Sequence, residues 1–162
     1  MIPTEEDDQY MAAALELATA AGRAGDVPVG AVIVRRNVII ARGVNRTVRD
    51  QDPTAHAEVL AIRAAAAVLR SWRISGCTLY MTLEPCAMCA GAIVLARLNR
   101  VVFGAWDEKA GMAGSVEDLL RHPKLNHRPE VLGGVRALEC GVLLTRFFKE
   151  HRELVDSHPE SG

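Results

Sequence analysis

The chain has 162 residues, a formal net charge of -1 and 49% hydrophobic residues, which suits one globular domain, placed at residues 1–156, with residues 157–162 as a frayed tail. So even a charge balance excludes a polyelectrolyte binder, and any contact with nucleic acid has to come from a local patch of Lys and Arg. No apolar run approaches the roughly 20 residues that span a bilayer, and the acidic opening Met-Ile-Pro-Thr-Glu-Glu-Asp-Asp is unlike a signal peptide; the expectation is a cytoplasmic protein with no membrane partner.

Residues 5–24 predict a helix, with Met11, Ala14, Leu15 and Ala18 at helical spacing. The segment from Gly22 to Pro28 breaks it. Val29-Gly-Ala-Val-Ile-Val and Val38-Ile-Ile-Ala read as strands, and Arg35-Arg36-Asn37 between them as a hairpin turn. Residues 45–53 are polar and loop-like, and Thr54 is placed to cap a helix over 55–69. Residues 77–83 predict a strand, Pro85 the first residue of a helix that continues to Ala96, and residues 100–105 another strand. A short helix is expected around 116–120, then a polar loop over 123–129. A strand over 131–135 is weakened by Gly133 and Gly134, and a last helix runs over 137–155. Strands alternating with helices predict an α/β domain in three layers, and the opening hairpin makes its sheet mixed.

Two motifs carry chemistry: His56-Ala57-Glu58 and Pro85-Cys86-Ala87-Met88-Cys89. Cysteines three apart share a helix face, and a helix N-terminus favours their thiolates. By itself a Cys-x-x-Cys pair is equally a redox pair or half of a structural zinc knuckle. With His56 as a third ligand, the set leaves one tetrahedral position open, which marks a catalytic rather than a structural zinc. Two thiolates formally cancel the charge of the ion, so the activated water needs a base, and Glu58, two residues after His56, is that base. Cys77 and Cys140 have no partner at ligand spacing and read as small buried residues. His122, His127, His151 and His158 read singly as surface or loop residues.

Other stretches accompany the motifs: Asp26-Val-Pro-Val-Gly-Ala-Val, Asp52-Pro-Thr-Ala-His-Ala-Glu, Thr78-Leu-Tyr-Met-Thr-Leu-Glu-Pro-Cys-Ala-Met-Cys-Ala-Gly-Ala, Arg100-Val-Val-Phe-Gly-Ala and His122-Pro-Lys-Leu-Asn-His-Arg. Together they resemble the bacterial tRNA-specific adenosine deaminases, of the cytidine and deoxycytidylate deaminase superfamily, from about Tyr10 to Arg152. The zinc pattern is shared by many nucleobase deaminases, whereas residues 111–128 are more specific to the tRNA enzymes.

The resemblance implies a five-stranded mixed sheet in an α/β/α sandwich and a homodimer. It implies one zinc per chain and no organic cofactor. It further implies hydrolytic deamination of adenosine to inosine at the wobble position of a tRNA anticodon, with the anticodon stem-loop as partner. Asn45 would contact the nucleoside, and Ala55 and Glu84 would border the base. The loop of Ala105, Trp106, Asp107 and Lys109 would face the anticodon. His122, Asn126, His127 and Arg128 would line the RNA path, partly across the dimer. From the residues alone, Asn45 is equally a turn residue, Asp107 an exposed loop acid and Trp106 a core or interface aromatic. Residues 121–152 hold seven Lys and Arg against three Asp and Glu, which fits an RNA-facing surface and also a solvated one. Two alternatives stand beside this reading: a deaminase of a free nucleobase or nucleoside, such as guanine or cytosine, and a zinc-stabilised RNA-binding module without chemistry. Glu58 argues against the second, since a structural site has no use for a carboxylate beside an open position.

Overall fold

A computed structural model describes residues 2–157, so the expected tail at 158–162 lies outside the described residues. Helix α1 (Glu5–Arg23) starts at Thr4, whose hydroxyl accepts the Asp7 amide while the Asp7 carboxylate accepts the Thr4 amide. This reciprocal cap and the acidic first turn satisfy N–H groups that the helix itself leaves open. Strands β1 (Gly30–Arg35) and β2 (Val38–Val44) form the expected hairpin. Its turn residues Arg36 and Asn37 have φ of 50° and 62°, the backbone a tight two-residue hairpin requires.

Helix α2 (Ala57–Leu69), strand β3 (Thr78–Leu83), helix α3 (Ala87–Ala96), strand β4 (Arg100–Ala105), strand β5 (Glu130–Gly133) and helix α4 (Ala137–Ser157) complete the chain. The strands lie in the order β2-β1-β3-β4-β5. β1 is antiparallel to both neighbours, and β3, β4 and β5 run parallel. The sheet is therefore mixed and five-stranded. Alternation along the strands sorts the core onto its two faces. Ala31, Ile33, Leu79, Met81, Val101 and Phe103 pack with α2 and α3, and Val32, Tyr80 and Val102 pack with α1 and α4. Gly43 lets α2 approach closely, because a Cβ there would collide with the carbonyl of Ala57.

Several elements differ from expectation in their bounds, and one is absent. Thr54 does not cap α2: its amide and hydroxyl bond the Asp52 carboxylate at 2.8 and 2.7 Å. The cap position falls to His56, which makes no side-chain cap bond. Pro85 precedes the cap of α3 rather than opening the helix. Its carbonyl accepts the Met112 amide at 2.8 Å, and Cys86, extended at φ -74° and ψ 178°, is the N-cap. Residues 116–120 form no helix: Val116 and Leu119 donate back to the carbonyls of Gly111 and Met112, and Ala113 bridges to Asp118. β5 ends at Gly133, and Ser157, placed in the tail from sequence, closes α4. Thus β4 reaches β5 through residues 106–129 with no helix among them. Irregular connections of that length are usually functional.

Candidate active site

In a sheet with parallel strands, ligands gather at the strand carboxyl ends. Here β2, β3 and β4 all end on one side, and antiparallel β1 begins there. The segments leaving that edge carry Asn45, Glu84 and Asp107, and the N-termini of α2 and α3 bring His56, Glu58, Cys86 and Cys89 to the same edge. Cys86 at the cap and Cys89 three residues on face His56 together. His56 Nδ1 lies 3.6 Å from Cys86 Sγ and 3.4 Å from Cys89 Sγ, and the three donor atoms lie within 4.8 Å of one another. Tetrahedral zinc with Zn–N of about 2.0 Å and Zn–S of about 2.3 Å sets N and S roughly 3.5 Å apart, so this donor set fits the ion.

Glu58 is buried, and the Cys89 thiol donates to its Oε2 at 2.8 Å. Burial pushes the Glu58 carboxyl above the usual carboxylate range, against the pull of the Cys89 hydrogen bond and of His56. The Cys86 thiol is held down to about 4, first by the adjacent Cys89 and then, against burial, by His56. Cys89 is pushed up by the adjacent Cys86 sulfur, by burial and by the Glu58 charge. A dication requires both sulfurs as thiolates, so its binding is coupled to loss of the Cys89 proton.

The donors open onto a cavity of about 310 Å³, within the range of small-molecule sites. Val27, Val29, Leu83 and Phe148 give it apolar walls, and Asn45, Thr47 and Asp107 polar ones. Asn45 Nδ2 donates to the Val27 carbonyl at 3.2 Å. Glu84 also lines the cavity, but its carboxylate is committed to the 107–115 loop. It accepts the amides of Asp107, Ala113 and Ser115 at 3.0, 3.0 and 3.1 Å, and the Ser115 hydroxyl. Burial raises the Glu84 carboxyl, but these donors outweigh it and hold it below the usual range.

Of the residues expected at the site, the structure gathers His56, Glu58, Cys86, Asn45, Glu84 and Asp107 around one cavity, with Cys89 buried behind Glu58 and His56. Ala55 is buried beside it, its carbonyl accepting the Arg46 amide. Lys109 lines an adjoining cavity with Trp106 and Arg152. His122, Asn126, His127 and Arg128 are not part of the cavity. Asn126 accepts from Arg97 at 3.3 Å and His127 Nε2 pairs with the Leu98 carbonyl at 2.6 Å. Arg128 folds onto the carbonyls of His122, Pro123 and Leu125. Arg97 and Leu98 follow the last turn of α3, about 16 Å along the helix axis from Cys86 at 1.5 Å per residue. Thr47 and Phe148 were not foreseen. Thr47 sits in a loop with no pattern, and Phe148 comes from a helix 90 residues downstream of the His56 motif with no local signal of proximity.

The fold and the donor set define a zinc-dependent deaminase. The cytidine and deoxycytidylate deaminase zinc-binding region matches residues 4–105. A tRNA-specific adenosine deaminase of Bacillus subtilis is 48% identical over 148 residues, 91% of this chain and 92% of that protein. A solved tRNA:A34 deaminase, studied for A-to-I editing at the wobble position of transfer RNA, superposes with a TM-score of 0.81 at 43% identity, covering 84% of this chain and 99% of that one. A guanine deaminase from Bacillus subtilis superposes with a TM-score of 0.62 at 39% identity, covering 76% and 82%. The chain belongs to the tRNA-specific adenosine deaminase family, within the cytidine and deoxycytidylate deaminases.

Proposed function

We propose that the protein hydrolyses adenosine to inosine, releasing ammonia, at the wobble position of a tRNA anticodon. The observation that carries this reading is Glu58, a buried carboxylate beside a His-Cys-Cys donor set at the floor of a cavity sized for a base. In it, His56, Cys86 and Cys89 hold one zinc per chain. Zinc supplies, when bound, a water acidified toward neutrality and a Lewis acid. Glu58 takes a proton from the attacking water and delivers it to N1 of the adenine ring; it then takes the proton left on the new C6 hydroxyl and passes it to the amine, which departs as ammonia as the C6 carbonyl forms. A carboxyl raised by burial holds a proton more readily than a free one, which suits a group that both accepts and returns a proton. Val29, Leu83 and Phe148 exclude water from the base, and Asn45 and Asp107 are its polar contacts. Ala55 and Glu84 shape the wall behind them. Lys109 meets the flanking RNA. A loop base is already unpaired, so turning it into the cavity costs only a few kcal/mol.

A homodimer belongs to the same proposal. α3 has no charged residue, and its Ala87 and Leu95 are exposed while Met88, Gly91 and Ala92 are half-buried. A helix apolar all round is ordinarily buried, and a second copy would cover that face. His122, Asn126, His127 and Arg128, at the far end of α3, would then extend the RNA path from the partner side. The cytoplasm is the proposed compartment. Among the described residues, all four cysteines are free and no helix is long and apolar enough to cross a membrane, and thiol ligands need a reducing setting.

The test offers an anticodon stem-loop with adenosine at the wobble position, alongside free adenosine, guanine and cytosine. Inosine in the stem-loop alone is expected. The guanine deaminase likeness makes free guanine the informative control, and its turnover with an untouched stem-loop would overturn the proposal.

A further inference from the structure

An ion pair stands just behind the cavity wall, unused by the chemistry above. Asp26 is 0% exposed. One of its oxygens accepts the Val48 amide at 2.7 Å and the other the Arg49 Nε at 2.7 Å. Arg49 spends a second donor, Nη2, on the carbonyl of Asn45 at 3.1 Å. Asn45 closes the circuit by donating Nδ2 to the carbonyl of Val27, the residue after Asp26. The ring Asp26–Arg49–Asn45–Val27 thus contains two residues of the cavity wall, Asn45 and Val27. It also anchors the irregular segment of residues 45–55 that carries Thr47 into the same cavity.

We propose that Asp26 and Arg49 are positioning residues of the deamination, forming a latch that fixes Asn45 and the wall around it for the substrate base. A segment without regular secondary structure has to be ordered for binding, and order built in beforehand lowers that entropic cost. The guanidinium suits the task because its planar fork addresses two acceptors in fixed directions, whereas lysine offers one point charge. Glu58 and the zinc donors are held separately, by the N-termini of α2 and α3. The latch therefore acts on substrate binding and leaves the chemical step alone. This inference rests on the cavity being the deaminase site.

The informative variant is Arg49→Lys, which keeps a cation beside Asp26 and gives up the bond to Asn45. Its KM for the stem-loop should rise about tenfold with kcat within about twofold, since losing an interaction shared by bound substrate and transition state raises KM and leaves kcat unchanged. Arg49→Ala should raise KM further, and zinc content and melting temperature of Arg49→Lys should match the parent. An unchanged KM, or a loss confined to kcat that follows melting temperature across both variants, overturns the latch. Amide hydrogen exchange gives a readout independent of turnover: exchange in Arg49→Lys should quicken over residues 45–52 and stay unchanged in α2. Unchanged exchange over residues 45–52 rejects the latch whatever the substrate. An inactive parent on the stem-loop rejects the functional proposal instead.

Discussion

Glu58 sits in an environment that few carboxylates tolerate, buried with a thiol 2.8 Å away as its hydrogen-bond partner. Its role is separable from metal binding because it is two residues from His56 and outside the donor triad. Glu58→Gln keeps the size of the side chain and removes its ability to carry a proton. Deamination should fall by roughly 10²–10⁴-fold, the usual worth of a positioned acid/base, while zinc analysis still finds about one ion per chain. Retained activity would show that the proton travels by another route. At this scale the donor set was legible, because His-x-Glu and Cys-x-x-Cys are local spacings fixed by helix geometry. Thr47, Phe148 and Arg49 were not, because nothing near them in sequence says what they face.

Helix α1 shows how an element is tied down from its first turn. Asp7 accepts from Tyr80 at 2.9 Å and from two Arg100 nitrogens at 2.6 and 2.9 Å, joining α1 to β3 and β4. Burial pushes the Asp7 carboxyl up, but Arg100, the Thr4 amide and Tyr80 outweigh it and bring it from 3.8 down to about 2. A depressed carboxyl stabilises the fold above its unfolded pKa. Asp7 should therefore contribute about 2 kcal/mol at neutral pH and lose it as the pH falls from about 4 toward 2. Urea unfolding from pH 6 to 2.5 checks this. Asp7→Asn should be less stable at pH 6 and converge on the parent at low pH, and parallel acid limbs would refute it. The elements themselves were read correctly in type and order except one. The helix expected at 116–120 failed because the amides of Val116 and Leu119 find better acceptors at Gly111 and Met112 than in a turn of their own. Glu84, remote in sequence, draws the amides of Ala113 and Ser115 into the same loop.

For the whole molecule, the exposed side of α3 is the feature a single chain does not account for. Leu95 is 68% exposed on a helix that carries no charge. Leu95→Glu should leave the fold of the chain intact, because the side chain packs on nothing essential within it. It should also shift the protein from dimer to monomer in light scattering at micromolar concentration, since a charge at the centre of an apolar contact is costly to bury. Stem-loop turnover should fall with the dimer while zinc content holds. A parent that is already monomeric would refute the dimer, and a variant that still dimerises would place the interface elsewhere; either would leave His122, Asn126, His127 and Arg128 without a route to the site.

The sequence by itself determined what is periodic or local. It specified the α/β alternation, the hairpin, the two helix N-termini bearing His56, Glu58, Cys86 and Cys89, and through them the metal chemistry. Tertiary structure decided what depends on long-range approach. It chose which strand edge gathers the donors, and it committed the Glu84 carboxylate to loop amides. It also locked Asn45 behind the Asp26–Arg49 pair and brought Phe148 from α4 to the mouth of the cavity. The division follows from the physics: helix and strand periods are written residue by residue, whereas a cavity wall is assembled from segments whose mutual distances only the packed core fixes.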